Sequence, residues 1–184
     1  FGPLALTDYY FEAKRQQAEG MRKALKVIQD VGREFAKEFG TKEYGLTEGY
    51  QLDDAELVVI ALGSTAGTLR VVVDKLREQG VKAGLLKIRV FRPFPLEEIR
   101  KKLGNAKAVA VLDRADSFNA VSGPVCAEVK AAMYGKSETP IVNYIYGLGG
   151  RDINPEMLEE VYADLEKIEG GGEPTPLTYL GVRE

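Results

Sequence analysis

The run Leu57-Val58-Val59-Ile60-Ala61-Leu62 passes directly into Gly63-Ser64-Thr65, and a helical pattern begins there. Six consecutive apolar residues leave no face for solvent, so the run suits a short strand covered on both sides, as in a parallel sheet. Gly63 permits a tight turn, and Ser64 or Thr65 is placed to cap the helix that follows. A strand, a turn and a helix in immediate succession set the fold class. They also mark an edge where ligands or partners approach.

The same unit recurs along the chain. A helix over 65–79 buries Leu69, Val72, Val73 and Leu76 and stops at Gly80. Further core strands are expected over 81–88, 108–112 and 140–146. Helices are expected over 96–103, from Gly123-Pro124 to about Tyr134, and from Pro155 to about Ile168, with Asn154 as cap. Strand and helix alternate four times, which predicts a mostly parallel sheet with helices on both faces. Ahead of this core, Gly2-Pro3 breaks structure and Thr7 or Asp8 is placed to cap a long helix. Ala18, Met21, Leu25, Ile28, Phe35 and Phe39 form one apolar stripe on that helix, which Gly20 and Gly32 weaken and Gly40 ends. A short edge strand is expected within 44–52. The expected division is residues 1–52 for the long helix and edge strand, 53–169 for an α/β/α core, and 170–184 for a glycine-rich linker and tail. In the tail Leu177, Tyr179, Leu180 and Val182 are candidate docking residues.

Composition removes several classes of function. The chain has no histidine and one cysteine, Cys126. That eliminates the Ser-His-Asp triad, most zinc chemistries, internal disulfides and a Cys-ligated iron–sulfur cluster within this chain. A reducing compartment follows as the simplest setting, and the expected location is cytoplasmic. The net charge of −3 is spread without a block of one sign, which argues against a nucleic-acid partner. No apolar run approaches the ~20 residues of a membrane span, so no membrane association is expected.

In a sheet of this kind, ligands bind beyond the carboxyl ends of the strands, where the strand order reverses. Four loops fall on that edge: Gly63-Ser64-Thr65, Arg89 to Pro93, Asp113 to Ser122, and Gly147 to Asp152. The candidate anion or interface contacts are Gly63, Ser64, Thr65, Arg92, Gly149 and Arg151. The spacing Gly63-x-x-x-Gly67 is neither a dinucleotide fingerprint nor a phosphate loop, so turn and cap compete with anion contact for the first three. Arg89 and Arg92 flank Phe91 beside two prolines, as ion-paired loop residues or as contacts to a partner or anionic ligand. Asp113, Arg114 and Asp116 read as a local salt-bridge network rather than an acid–base cluster. Cys126 reads as buried and inert, and Tyr9-Tyr10-Phe11 as an interdomain packing surface. No nucleophile, base and oxyanion site assemble, so no catalytic residue is assigned.

Four segments together carry a family resemblance. They are Ala61-Leu62-Gly63-Ser64, Lys87-Ile88-Arg89-Val90-Phe91-Arg92-Pro93-Phe94-Pro95, Val111-Leu112-Asp113-Arg114 and Tyr146-Gly147-Leu148-Gly149-Gly150-Arg151-Asp152. In this order and spacing the chain resembles the C-terminal domain of the alpha chain of the 2-oxoacid:ferredoxin oxidoreductases, the pyruvate enzyme (pyruvate synthase) most closely. Gly2-Pro3-Leu4 with Thr7 to Glu12 resembles the segment leaving a preceding domain, and Tyr179 to Glu184 a chain terminus. The resemblance implies a transketolase C-terminal-like fold: five strands in the order 1-3-2-4-5, strand 1 antiparallel, with helices on both faces. It implies a parent enzyme that oxidatively decarboxylates a 2-oxoacid using thiamine diphosphate, magnesium, iron–sulfur clusters and coenzyme A, and passes electrons to ferredoxin. Those cofactor sites are expected on other domains and chains, with none on this one. The partners implied are the other subunits and domains of the complex, ferredoxin being reached only through it. The leading expectation is a structural, subunit-interface domain. The alternatives are a domain binding an anion, nucleotide or coenzyme A through the carboxyl-edge loops, and an independent flavodoxin-like enzyme.

Overall fold

The computed structural model describes every residue except Phe1, Pro3, Ala5, Val121 and Glu184. The expected break at Gly2-Pro3 and the last residue of the terminal motif therefore fall partly outside the described residues. The chain divides into two compact units, Phe1–Leu46 with Val90–Pro95, and Thr47–Arg89 with Leu96–Glu184.

The first unit is built on one helix, α1 (Tyr10–Phe39). Gly20 and Gly32 do not interrupt it. Gly40 ends it in the left-handed conformation, its N–H bonding to Ala36 O, as a C-terminal glycine does. The expected capping by Thr7 or Asp8 is not realised. Tyr9 is the cap residue and gives no side-chain bond, and the free N–H groups are met instead by backbone bonds such as Tyr10 N to Leu6 O at 2.9 Å.

The second unit is the α/β core. Its strands are β1 (Thr47–Tyr50), β2 (Leu57–Leu62), β3 (Ala83–Ile88), β4 (Ala108–Asp113), β5 (Ile141–Ile145) and β6 (Leu177–Tyr179). Its helices are α2 (Thr65–Glu78), α3 (Leu96–Lys102), α4 (Pro124–Met133) and α5 (Pro155–Glu169). The sheet runs β1-β3-β2-β4-β5-β6, with β1 antiparallel to β3 and the other pairs parallel. Leu57 of β2 sits opposite Ala83 on one side and Ala108 on the other, which makes the opening apolar run central. Leu57, Val59 and Ala61 join the cluster made with α2 and α5, including Leu69, Val73, Leu158 and Tyr162. Val58 and Ile60, alternating with them, point to the face covered by α3 and α4 and are equally buried. Burial on both faces is why the run lacks polar alternation; each such side chain contributes ~1.5–3 kcal/mol. Tyr162, fully buried, donates its hydroxyl to Gly84 O at 2.8 Å, so its polar end is satisfied inside the core.

The first five strands keep the expected order, but a sixth extends the sheet. The segment past the glycine triplet is not a free tail. Gly171 and Gly172 close α5 by bonding back to Ile168 O and Lys167 O, and the chain then pairs Leu177–Tyr179 alongside β5. Asn143 N donates to Pro176 O and Leu180 N to Ile145 O, so the backbone groups of β5 that would otherwise end in water are paired.

Candidate functional site

Three strands of the core end at one cleft. Ser64, Thr65 and Thr68 come from the turn after β2 and the first turn of α2. Arg114 follows β4, Tyr146 follows β5, and Arg151, Asp152 and Ile153 come from the loop leading to α5. Together they enclose about 220 Å3. Strand order reverses here, since the chain goes from β2 to β3 on one side and returns to β4 on the other.

The floor is a buried hydroxyl pair. Thr65 Oγ1 and Tyr146 OH lie 2.7 Å apart, and the two residues are 5% and 4% exposed. Burial raises the phenol above its ordinary value, so Tyr146 is a neutral hydrogen-bonding group. Arg114 stacks over the Tyr146 ring, its guanidinium carbon 5.9 Å from the centroid, and donates to Gly147 O at 3.4 Å. Gly147 has φ +66°, and a Cβ there would stand 2.9 Å from Arg114 Nε, so glycine permits both the turn and the stacking. On the opposite rim Arg151 donates to Gly181 O in the stretch after β6. The rim therefore carries two cations and the carboxylate of Asp152 around a neutral hydroxyl floor. That arrangement can hold an anion or a partner's carboxylate, but it contains no nucleophile with an activating base.

Asp113 serves a different end. It is 1% exposed, and its oxygens accept from Val125 N at 2.9 Å, Cys126 N at 3.0 Å and Asn143 Nδ2 at 3.0 Å. It thus pins the first turn of α4 to the end of β4. Asn143, itself buried, also donates to Val111 O and accepts from Gly123 N. A Cβ on Gly123 would stand 2.5 Å from Asp113 Cγ, so the close approach requires glycine. Desolvation raises the Asp113 carboxyl, against the three N–H donors that pull it down.

The structure brings together Ser64, Thr65 and Arg151 among the sequence candidates. Gly63 turns the chain beside them with φ +65°. Gly149 sits in the turn Leu148–Gly150 with φ +65° and does not line the cleft. Arg92 belongs to the other compact unit, where it donates to Phe91 O at 2.9 Å and stacks on the Phe91 ring at 4.2 Å. Arg89 is ion-paired with Glu48, which also takes Arg70 at 2.8 Å. Two expectations are corrected. Ser64 is the cap residue of α2 but makes no capping bond, because it already has helical φ and ψ, and Thr65 turns its hydroxyl to Tyr146. Asp113, Arg114 and Asp116 form no salt-bridge network; each faces a different partner, Asp116 accepting from Tyr179 OH of β6. Sequence reasoning missed Tyr146, Thr68 and Ile153. The one signal for Tyr146 was its place as an aromatic at the carboxyl end of an apolar run.

A metal cluster does not fit these residues. Cys126, the single cysteine, is fully buried and its thiol is pushed up to about 12 by desolvation. Among the described residues no three His, Cys, Asp or Glu side chains are grouped to hold a metal ion, and no helix is long and apolar enough to cross a membrane.

Comparison with known proteins bears on the family and the fold. The family described as pyruvate:ferredoxin oxidoreductase core domain II matches residues 55–158. The pyruvate synthase subunit PorA of Thermotoga maritima is 48% identical over 100% of this chain and 46% of its own length. The ketoisovalerate oxidoreductase subunit VorA of Pyrococcus abyssi is 41% identical over 91% of this chain and 42% of its own length. The chain thus spans about half the length of the curated relatives it matches. A solved split-gene transketolase, an inactive beta4 tetramer, superposes with a TM-score of 0.52 over 66% of this chain and 42% of its own, at 12% identity, which speaks to the fold alone. A family match across more than half the chain, on a core whose strand order and reversal point are those described above, places this chain in the pyruvate:ferredoxin oxidoreductase core domain II family.

Proposed function

We propose that this chain is one domain of the alpha subunit of a 2-oxoacid:ferredoxin oxidoreductase, that pyruvate is the 2-oxoacid, and that the domain shapes the subunit rather than carrying the chemistry. The observation that carries the reading is the 48% identity to a pyruvate synthase subunit along the whole chain. In the parent, thiamine diphosphate with magnesium, coenzyme A and the iron–sulfur clusters belong to other domains and subunits, and electrons reach ferredoxin through the complex. The division into a long N-terminal helix, an α/β core and a tail that closes the sheet is part of this reading, as is a cytoplasmic location. Gly63, Ser64, Thr65 and Arg151 at the cleft, with Arg92 and Gly149 elsewhere, are its interface contacts. The test is the full alpha subunit assembled with its partner subunits and assayed for coenzyme A-dependent reduction of a low-potential acceptor. Pyruvate is expected to support turnover better than 2-ketoisovalerate. A preference for the branched acid overturns the substrate, and no turnover with any 2-oxoacid overturns the enzyme.

A second reading rests on Arg114 and Arg151 lining one cleft: a coenzyme A, phosphate or nucleotide contact at the carboxyl edge. Calorimetry of the parent subunit with each compound tests it. Heat of binding that disappears in Arg151→Ala supports it, and no heat removes it.

A further inference from the structure

Helix α1 runs for thirty residues without one buried side chain. Its two faces are chemically opposite. On one, Glu19 pairs with Arg22 at 2.9 Å and with Arg15 at 3.4 Å, while Asp30 pairs with Lys26 at 2.6 Å and with Arg33. Those charges satisfy one another at i,i+3 and i,i+4 spacing, as on a solvated face. On the other lie Tyr10, Met21, Leu25, Ile28, Phe35 and Phe39, of which Tyr10, Met21, Phe35 and Phe39 are exposed. At the end of this stripe Phe35 touches Phe39 at 4.6 Å and Tyr44 at 6.4 Å between ring centroids.

Such a helix does not hold itself. Gly20 costs ~1 kcal/mol relative to alanine, no side chain caps its start, and helices in proteins draw most of their stability from a covered apolar face. The self-paired charges make an anionic membrane or nucleic acid a poor cover; the surface asks for an apolar one. Three observations say where that cover is. The core domain family match starts at residue 55 and leaves α1 outside. The fold itself separates α1 from the α/β core as a distinct compact unit. The Thermotoga maritima relative aligns along all of this chain, α1 included, yet is about twice its length.

We infer that the apolar stripe of α1 docks on the remaining half of the same alpha-subunit polypeptide, so that α1 is structurally an element of the neighbouring domain rather than of the core. This rests on the family reading above. The occupant is an apolar groove or helix face within the same chain, not a second copy and not another subunit.

The test uses the full-length alpha subunit, purified alone, at a concentration where it is monomeric by mass, with single cysteines introduced at Met21→Cys on the stripe and Lys23→Cys on the charged face. Cys126 is buried and adds little background. Reaction with a fluorescent maleimide is expected to be at least about tenfold slower at Met21→Cys than at Lys23→Cys, since thiol reactivity follows exposure. Equal rates overturn the inference, as does slow labelling that appears only on self-association or on adding other subunits. Hydrogen exchange on the unsubstituted subunit covers the case of a variant that fails to fold. Amides of residues 21–39 are expected to be protected at least about hundredfold, and exchange at the rate of an open chain overturns the inference. Turnover of the reassembled complex is read separately. Turnover with equal labelling rates sinks the docking of α1 alone, whereas protection without 2-oxoacid turnover sinks the enzyme assignment alone.

Discussion

Asp113 shows how a residue of ordinary appearance can organise a site it does not enter. In sequence it stands beside Arg114 and resembles half of an ion pair. In the fold its carboxylate closes the first turn of α4 and holds Asn143, while Arg114 is released to stack on Tyr146. Asp113→Ala leaves buried N–H donors without an acceptor and is expected to cost about 3 kcal/mol in urea denaturation. Gly123→Ala drives a methyl group against the same carboxylate and is expected to destabilise as well. The Thr65–Tyr146 pair gives a sharper test. Thr65→Val or Tyr146→Phe alone strands a buried hydroxyl and is expected to cost about 1–2 kcal/mol. The double variant removes both groups and is expected to cost less than the sum, with a coupling near 1 kcal/mol in a double-mutant cycle. Additive losses would mean the two hydroxyls do not depend on each other.

Among the elements, the amino edge of the sheet is tied electrostatically just as the carboxyl edge is tied by hydrogen bonds. Glu56, just ahead of β2, pairs with Lys82 ahead of β3 at 2.7 Å and with Lys107 ahead of β4 at 2.6 Å, and Lys107 also meets Glu169 at the end of α5. Hydrogen bonds from Lys107 and Lys82 hold the Glu56 carboxyl down at about 2. A carboxyl held low in the folded state contributes stability that is complete above its unfolded value near 4.5. That contribution is lost as pH falls from there through about 2. Glu56→Gln is therefore expected to flatten the acid side of the stability curve in this window and to leave the curve above pH 6 nearly parallel to the parent's. Added salt should shrink the difference, because the group faces solvent. At the far edge β6 was hidden in the sequence, since three residues between prolines and glycines are too short for a period to show. Leu180, packed against the core after β6, is expected to lose about 1 kcal/mol on truncation to alanine. An unchanged urea midpoint would mean the Leu180 side chain adds nothing to the core.

At the scale of the whole molecule the chain is two units, and one of them presents an uncovered apolar helix. The core needs no partner to bury its strands, whereas α1 does. The cleft at the strand ends has the cations Arg114 and Arg151 on its rim. In the assembled parent, Arg114→Ala and Arg151→Ala are expected to change how well the subunits co-purify and to leave the turnover of whatever complex does form within about twofold, a difference of less than 1 kcal/mol in barrier. A large fall in turnover at unchanged assembly would move these arginines into the chemistry.

By itself, the sequence determined the elements of the core up to α5, though not β6. Both-sided burial writes a strand as an unbroken apolar run, a helix face repeats every three to four residues, and Gly40, Pro124 and Asn154 mark ends because their backbones or side chains suit only those positions. It also excluded a Cys-ligated iron–sulfur cluster within this chain and histidine chemistry by simple lack of the atoms. The order of the strands came from family resemblance, not from periodicity, which says which face is buried but not against what. Only the tertiary structure decided the site. Ser64, Arg114, Tyr146 and Arg151 are distant in sequence and meet because three parallel strands end at one edge. Likewise only the fold could separate Asp113 from Arg114, because whether a carboxylate pairs with its neighbour or with a helix terminus depends on which donors the packed backbone brings within 3 Å.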